Sequence, residues 1–245
     1  MRSLLAVLYL IFYFIISLPM YPIAALIKKL RGDKAAHAFA QPFVNRGWKT
    51  LLKIAGTKLT VVGRDRIPDD EAVLYVSNHR SYFDIVVTYI TVKGLTGYVA
   101  KKEMEKVPLI STWMKFMHGL FLDRGDLREG LKTILKASDY VKDGISIFIA
   151  PEGTRGHGEA MLPFHDGSFK IAQRSGCRIV PIACLNTDAI YELHRPWIRS
   201  VKAAVVYGDP IDMNELSADD RRHISPYVQE KIRLLIEENK CLTEE

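Results

Sequence analysis

From residue 58 onward the sequence alternates short apolar runs with longer stretches of helical spacing. The runs are Leu59–Val62, Val73–Val76, Thr96–Ala100, Leu120–Leu122, Ser146–Ile149, Ile179–Cys184 and Ala203–Tyr207. Between most of them lies room for a helix: Tyr82–Ile90, Leu109–Met117, Leu127–Lys142 and Ser168–Arg174. A parallel strand pair needs a long crossover, usually a helix, to bring the chain back to the same end of the sheet. The alternation therefore predicts an α/β fold, a mostly parallel mixed sheet with crossover helices. A last helix is expected from Ser225-Pro226, a cap residue followed by proline at the first helical position. Its core face would carry Ile224, Tyr227, Val228, Ile232, Leu235 and Ile236. There is no internal repeat and no low-complexity linker.

The N-terminus follows another rule. Leu4 to Leu18 (LLAVLYLIFYFIISL) is apolar except for Ser17, and no charged side chain stands between Arg2 and Lys28. A membrane-crossing helix needs about 20 apolar residues. The uninterrupted run is shorter, and Pro19 and Pro22 would kink or end it. Two forms remain open: one kinked span, or a helix that enters a leaflet and turns back. Lys28, Lys29, Arg31 and Lys34 follow at once, which puts the rest of the chain on the cytoplasmic side of a cell membrane. A cleaved signal peptide fits less well, since no small-residue cleavage site follows and the basic cluster does. Residues 35–54 carry apolar positions near helical spacing, with Pro42 as a potential kink. This helix either packs on the core or lies at the interface with Trp48 at headgroup depth. The expected organisation is a membrane-anchoring helical segment over residues 1–54 and an α/β catalytic domain over 55–245.

The chain of 245 residues is long enough for one well-buried core, and 48% of it is hydrophobic. Its net charge of +6 suits an anionic partner. The cations are scattered rather than interleaved with aromatics along a stripe, which argues against nucleic acid. Cys177, Cys184 and Cys241 fit no zinc or CxxC spacing and read as reduced thiols.

In open α/β sheets ligands bind beyond the carboxyl ends of the strands. Four successive strand ends here carry polar groups: Asn78-His79, Lys101-Lys102, Asp123-Arg124 and Pro151-Glu152-Gly153-Thr154-Arg155. One such end is an ordinary turn. Four together, with a histidine among them, define a site.

His79 and Asp84 are five apart. Mid-helix they would point about 140° apart, at ~100° per residue. They meet only if His79 lies on the turn and Asp84 in the first turn of the next helix. Ser81 as N-cap would make Asp84 the N3 residue of a capping box. That carboxylate can then hold one imidazole nitrogen and leave the other as a base. No GxSxG elbow is present, so the pair suits deprotonation of a substrate hydroxyl or water. There is no GxxxxGK[ST] loop, HExxH or EF-hand loop, and Gly153, Gly156 and Gly158 do not form GxGxxG. His37, His118, His157, His165, His194 and His223 have no metal-ligand spacing, so no metal is expected.

With these residues located, the chain resembles the glycerophospholipid acyltransferase family over roughly residues 58–212. Asn78-His79 with Asp84 match its NHxxxxD motif. Gly119-Leu120-Phe121-Leu122-Asp123-Arg124 is similar to its Gly/Phe/Arg block. Pro151 to Arg155 match FPEGTR, with Ala150 in place of the usual Phe. Ile179-Val180-Pro181-Ile182 resembles the fourth block, and Pro163 to Lys170 is a further family-like stretch. The resemblance implies O-acyl transfer: a fatty acyl group passes from a thioester donor to the sn-2 hydroxyl of 1-acyl-glycerol-3-phosphate, forming phosphatidate. His79 would be the general base and Asp84 its orienting partner. Arg124 and Arg155 would bind the acceptor phosphate, with Lys101 a weaker candidate. Glu152 and Thr154 would shape the pocket, and Gly153 would let backbone approach closely. The donor would be acyl-CoA or acyl carrier protein, with no cofactor. Another lysophospholipid or lyso-aminolipid is the alternative acceptor. A non-catalytic protein that binds anionic lipid is the alternative of another class.

Overall fold

The computed structural model describes residues 1–156 and 160–244, so His157 and Gly158 lie outside the described residues. Seven strands form one sheet in the order β1-β7-β6-β2-β5-β3-β4. They are β1 (Lys58–Val62), β2 (Leu74–Ser77), β3 (Thr96–Lys101), β4 (Leu120–Leu122), β5 (Ser146–Ile149), β6 (Ile179–Leu185) and β7 (Lys202–Tyr207). Each coincides with an apolar run read from the sequence, to within a residue at either end. β2 runs parallel to β5 and β6, and β3 parallel to β5 and β4. β7 reverses against β6, and β1 follows β7 in parallel. The sheet is thus the mixed, mostly parallel one expected.

Helices cover both faces. Beyond the N-terminal helices, α4 (Tyr82–Tyr89), α5 (Ile110–Phe116), α6 (Leu127–Lys142), α7 (Lys170–Ser175), α8 (Ala218–Arg222) and α9 (Ile224–Glu238) follow in chain order. Successive strand residues point to opposite faces, and β2 shows the result. Leu74 and Val76 join Ile147 and Ile149 in a core with Ile134 of α6, Ile171 of α7 and Val228 of α9. Tyr75 points the other way, into a core with Phe148, Val87 of α4 and Trp113 of α5. Full burial of each such side chain stabilises by about 1.5–3 kcal/mol. Both faces are closed, so these strands read as unbroken apolar runs rather than alternating ones.

One boundary differs from expectation. The last helix starts at Ile224 rather than Ser225-Pro226, with His223 at the cap position and Pro226 third in the first turn. A first-turn proline loses no intrahelical bond. Ser225 is buried and its hydroxyl donates to Asp166 Oδ1 instead of capping. The short α8 precedes it, capped by Ser217, which accepts from Asp220 N.

At the N-terminus, α1 (Arg2–Ser17) and α2 (Met20–Arg31) meet at a 46° bend at Leu18-Pro19. No single helix among the described residues is long and apolar enough to cross a membrane; the bent pair passes on length and composition together. α3 (Asp33–Ala55) runs on through Pro42. Its Ala40, Val44, Leu51 and Leu52 enter the sheet core, and Trp48 packs against that core. Tyr9 of α1 donates its hydroxyl to Gly47 O at 3.0 Å. A Cβ at Gly47 would sit 2.5 Å from the Tyr13 ring, so only glycine lets α1 and α3 cross this closely. The opposite face of α1 leaves Leu4, Leu5, Val7, Leu8, Ile11, Phe12, Ile15 and Ile16 exposed.

Candidate active site

The five strands β2, β3, β4, β5 and β6 share one direction, so their carboxyl ends form one edge. The sequence pointed to four of these ends, and all four are there. β6 supplies a fifth, through Thr187, Asp188 and Glu192. Reading past Ile179–Cys184 to Asn186-Thr187-Asp188 with the same strand-end rule would have found the first two. Glu192 carries no comparable signal.

His79 lies on the turn after β2, and Asp84 in the first turn of α4. Ser81 is the N-cap: its hydroxyl accepts from Phe83 N, and Asp84 completes the capping box. The Asp84 carboxylate is fully buried. Its Oδ2 accepts from His79 Nδ1 at 2.9 Å, Arg80 N at 2.7 Å and Ser81 N at 2.8 Å. Its Oδ1 accepts from Thr187 Oγ1 at 2.5 Å. A buried carboxylate is tolerated only when such donors replace its water. Because Oδ2 can only accept, the hydrogen of His79 belongs on Nδ1. The lone pair of Nε2 is then free, and no group among the described residues bonds it. The His79 side chain is 20% exposed, so this nitrogen is open to a reactant.

Asn78 is buried and serves the scaffold. Its amide pairs with the Cys184 backbone, accepting from the N–H at 2.8 Å and donating to the carbonyl at 3.0 Å. It thereby locks the end of β2 to β6.

Glu152 follows β5 and also acts on backbone. Its Oε1 accepts from His79 N at 2.7 Å and its Oε2 from Leu162 N at 2.8 Å. Burial raises its pKa, and the two amide bonds oppose that rise. With both oxygens engaged, Glu152 shapes the site by fixing the His79 turn against the 150–156 loop. Gly156 N adds a bond to His79 O at 2.9 Å. Gly153 has φ +75°, and Arg124 lies against it: a Cβ there would come within 2.9 Å of Nη1. Partial desolvation lowers the Arg124 pKa, yet a guanidinium stays charged. Lys101 Nζ reaches Thr154 Oγ1 at 3.3 Å, which joins the β3 end to the same loop.

Arg155 is held rather than free. Its Nη1 pairs with Glu192 Oε1 at 3.2 Å, its Nη2 donates to the Tyr82 hydroxyl at 3.0 Å, and the guanidinium lies 3.7 Å from the Tyr82 ring centroid. Glu192 also accepts from Ser81 Oγ at 2.6 Å and Tyr82 N at 2.8 Å. It thus fastens the α4 N-terminus and Arg155 together. Arg80 pairs with Asp188 at 2.7 Å beside them. Among the described residues no group of three or more His, Cys, Asp or Glu side chains could hold a metal ion.

Residues 58–185, just over half of the chain, match the family model described as Acyltransferase. The chain belongs to the acyltransferase family. One relative, the 1-acyl-sn-glycerol-3-phosphate acyltransferase of Haemophilus influenzae, is 30% identical over 200 residues, covering 80% of this chain and 81% of that one. Another of that name from Chlamydomonas reinhardtii is 30% identical over 189 residues, 76% of this chain and 56% of that one. The chain thus spans little more than half of that algal relative. The crystal structure of the 1-acyl-sn-glycerophosphate acyltransferase from Thermotoga maritima superposes with a TM-score of 0.74 at 22% identity, covering 97% of this chain and 98% of that one. That likeness shows a shared fold. The family's NHxxxxD and PEGTR motifs correspond here to one continuous strand-end edge.

Proposed function

We propose that the protein transfers a fatty acyl group from a thioester donor, acyl-CoA or acyl carrier protein, to the sn-2 hydroxyl of 1-acylglycerol-3-phosphate. The observation that carries this reading is the His79–Asp84 pair. A buried, four-donor carboxylate holds Nδ1 and turns outward an Nε2 that no serine or cysteine among the described residues bonds. Nε2 takes the proton of the acceptor hydroxyl as its oxygen attacks the thioester carbonyl. The tetrahedral intermediate then expels the thiolate, which takes that proton back from the imidazolium. Arg124 and Arg155 on the same edge offer two guanidinium groups to the acceptor phosphate, with Lys101 beside them. The names of the relatives support lysophosphatidate as acceptor. The apolar face of α1 and α2 would seat in the membrane, with the catalytic edge on the cytoplasmic side.

Purified protein is assayed with both donors against a panel of lyso-lipids. Phosphatidate formation is expected, with His79→Ala slower by on the order of 10²–10⁴-fold and lipid binding retained. Transfer only to a different lyso-lipid reassigns the acceptor, and unchanged turnover in His79→Ala refutes the base.

A further inference from the structure

The loop between β6 and β7 carries a surface that acyl transfer does not use. Ile190 O accepts from Arg199 N at 2.9 Å, which closes the neck of the loop. Inside it, Tyr191 O accepts from His194 N at 3.0 Å and His194 O from Trp197 N at 2.7 Å. This backbone holds its own shape, yet it turns two large apolar side chains outward. Leu193 is 64% exposed and Trp197 58% exposed. His194, Arg195 and Arg199 are exposed around them.

Single exposed apolar residues are ordinary; the placement of these is not. At one end of the loop, Glu192 bonds Ser81, Tyr82 and Arg155 at the catalytic edge. At the other, Ile198 N donates to Ser3 Oγ of α1 at 2.8 Å. Trp197 therefore stands next to the residue tied to Ser3, and Leu4 opens the exposed apolar face of α1. The loop thus ties the start of α1 to the catalytic edge and carries exposed apolar side chains of its own.

We propose that the Tyr191–Arg199 loop is a second contact with an anionic lipid bilayer, additional to α1 and α2. Trp197 and Leu193 enter the headgroup region, where an indole keeps both its apolar ring and its N–H satisfied. Arg195 and Arg199 meet lipid phosphates. The contact holds the Glu192 side of the site at the depth where a lyso-lipid presents its hydroxyl. The inference rests on the lipid-acceptor reading above.

The test uses the full chain carrying Leu193→Ser and Trp197→Ser, and vesicles of phosphatidylcholine with phosphatidylglycerol. Acyl transfer is measured to lysophosphatidate in those vesicles and to a short-chain, water-soluble lysophosphatidate. The apparent KM on vesicles is expected to rise about tenfold, the equivalent of ~1.4 kcal/mol of lost burial, with the soluble acceptor unaffected. Quenching of tryptophan fluorescence by brominated phosphatidylcholine should fall in the variant. Unchanged vesicle kinetics with unchanged quenching overturns the proposal. A defect shared by both acceptors that follows donor concentration marks a donor-docking surface and overturns it too. If the native chain acylates neither acceptor, the functional reading fails, while quenching still judges the loop.

Discussion

Thr187 Oγ1 donates to Asp84 Oδ1 at 2.5 Å, joining the β6–β7 loop to the first turn of α4, 103 residues away in sequence. Both residues are fully buried, so no water replaces the hydroxyl if it is removed. Thr187→Val keeps the shape and leaves Oδ1 without its donor, a loss of about 1–3 kcal/mol. The carboxylate that aims His79 is then held from one side only. Steady-state kinetics at saturating acceptor should show kcat about 10–100-fold lower, and Thr187→Ser should restore most of it. A Thr187→Val enzyme of native activity would show that the three bonds to Oδ2 suffice.

Arg155 and Glu192 separate substrate binding from scaffolding. Arg155→Ala removes a cation from the acceptor edge and also leaves the largely buried Glu192 carboxylate without its counter-charge, held only by Ser81 and Tyr82. Acceptor KM should rise with donor KM unchanged, and stability should fall by about 1–3 kcal/mol. Adding Glu192→Gln removes the stranded charge, so the double variant should regain stability without regaining acceptor affinity. Urea melts beside acceptor titrations give both readings. An effect on the donor alone would overturn the role of Arg155.

Gly153 tests the fit of Arg124. At φ +75° an added Cβ costs about 1–2 kcal/mol in backbone strain, and it would sit 2.9 Å from Arg124 Nη1. Gly153→Ala should therefore both destabilise the 150–156 loop and push the guanidinium outward. Acceptor KM is expected to rise several-fold, in excess of any change in donor KM. A melting temperature that drops while both KM values hold would confine Gly153 to the turn.

The sheet was legible because its central strands β2, β5 and β6 are buried throughout and its runs are bounded by polar turns; all seven runs became strands, including the more exposed edge strands β1 and β4. The His79–Asp84 pair was legible because a capping box fixes local geometry within four residues of chain. Thr187 and Glu192 were not read, for a physical reason. They reach the site through tertiary packing of the β6–β7 loop. Glu192 has no strand-end signal, and the strand-end rule could have flagged Thr187 as a position but not the carboxylate 103 residues away that it meets. The same applies to Glu152. Its motif marked it for the site, but only the fold shows that both its oxygens are spent on backbone amides. The last helix began two residues early, and Ser225 bonds Asp166 instead of capping.

His37 and His118, which have no spacing of interest in sequence, face each other in the fold with Nδ1 atoms 2.9 Å apart. One ring must donate and the other accept, so the accepting ring has to be neutral and the two cannot both be protonated. His37 is completely buried, and its Nε2 has no partner among the described residues. Burial, then the neighbouring His118, lowers its pKa from 6.5 to about 3. Burial also lowers His118, with Asp33 opposing and Lys28, Lys136 and Lys34 adding to the shift. The sign follows from linkage. The unfolded chain takes up protons below about pH 6.5 that folded His37 refuses, so its stabilisation is complete above that pH. It is lost as pH falls toward about 3. Within the window the slope reaches about 1.4 kcal/mol per pH unit for one proton. His37→Phe fills the same space without a titrating group. Urea midpoints measured in detergent from pH 7 to 4 should fall less steeply for this variant, by close to one proton's worth. Because the pair joins α3 to the turn before β4, the acid-sensitive packing lies at the opposite end of β4 from Arg124. Parallel curves for the two proteins would place the acid sensitivity of the fold elsewhere.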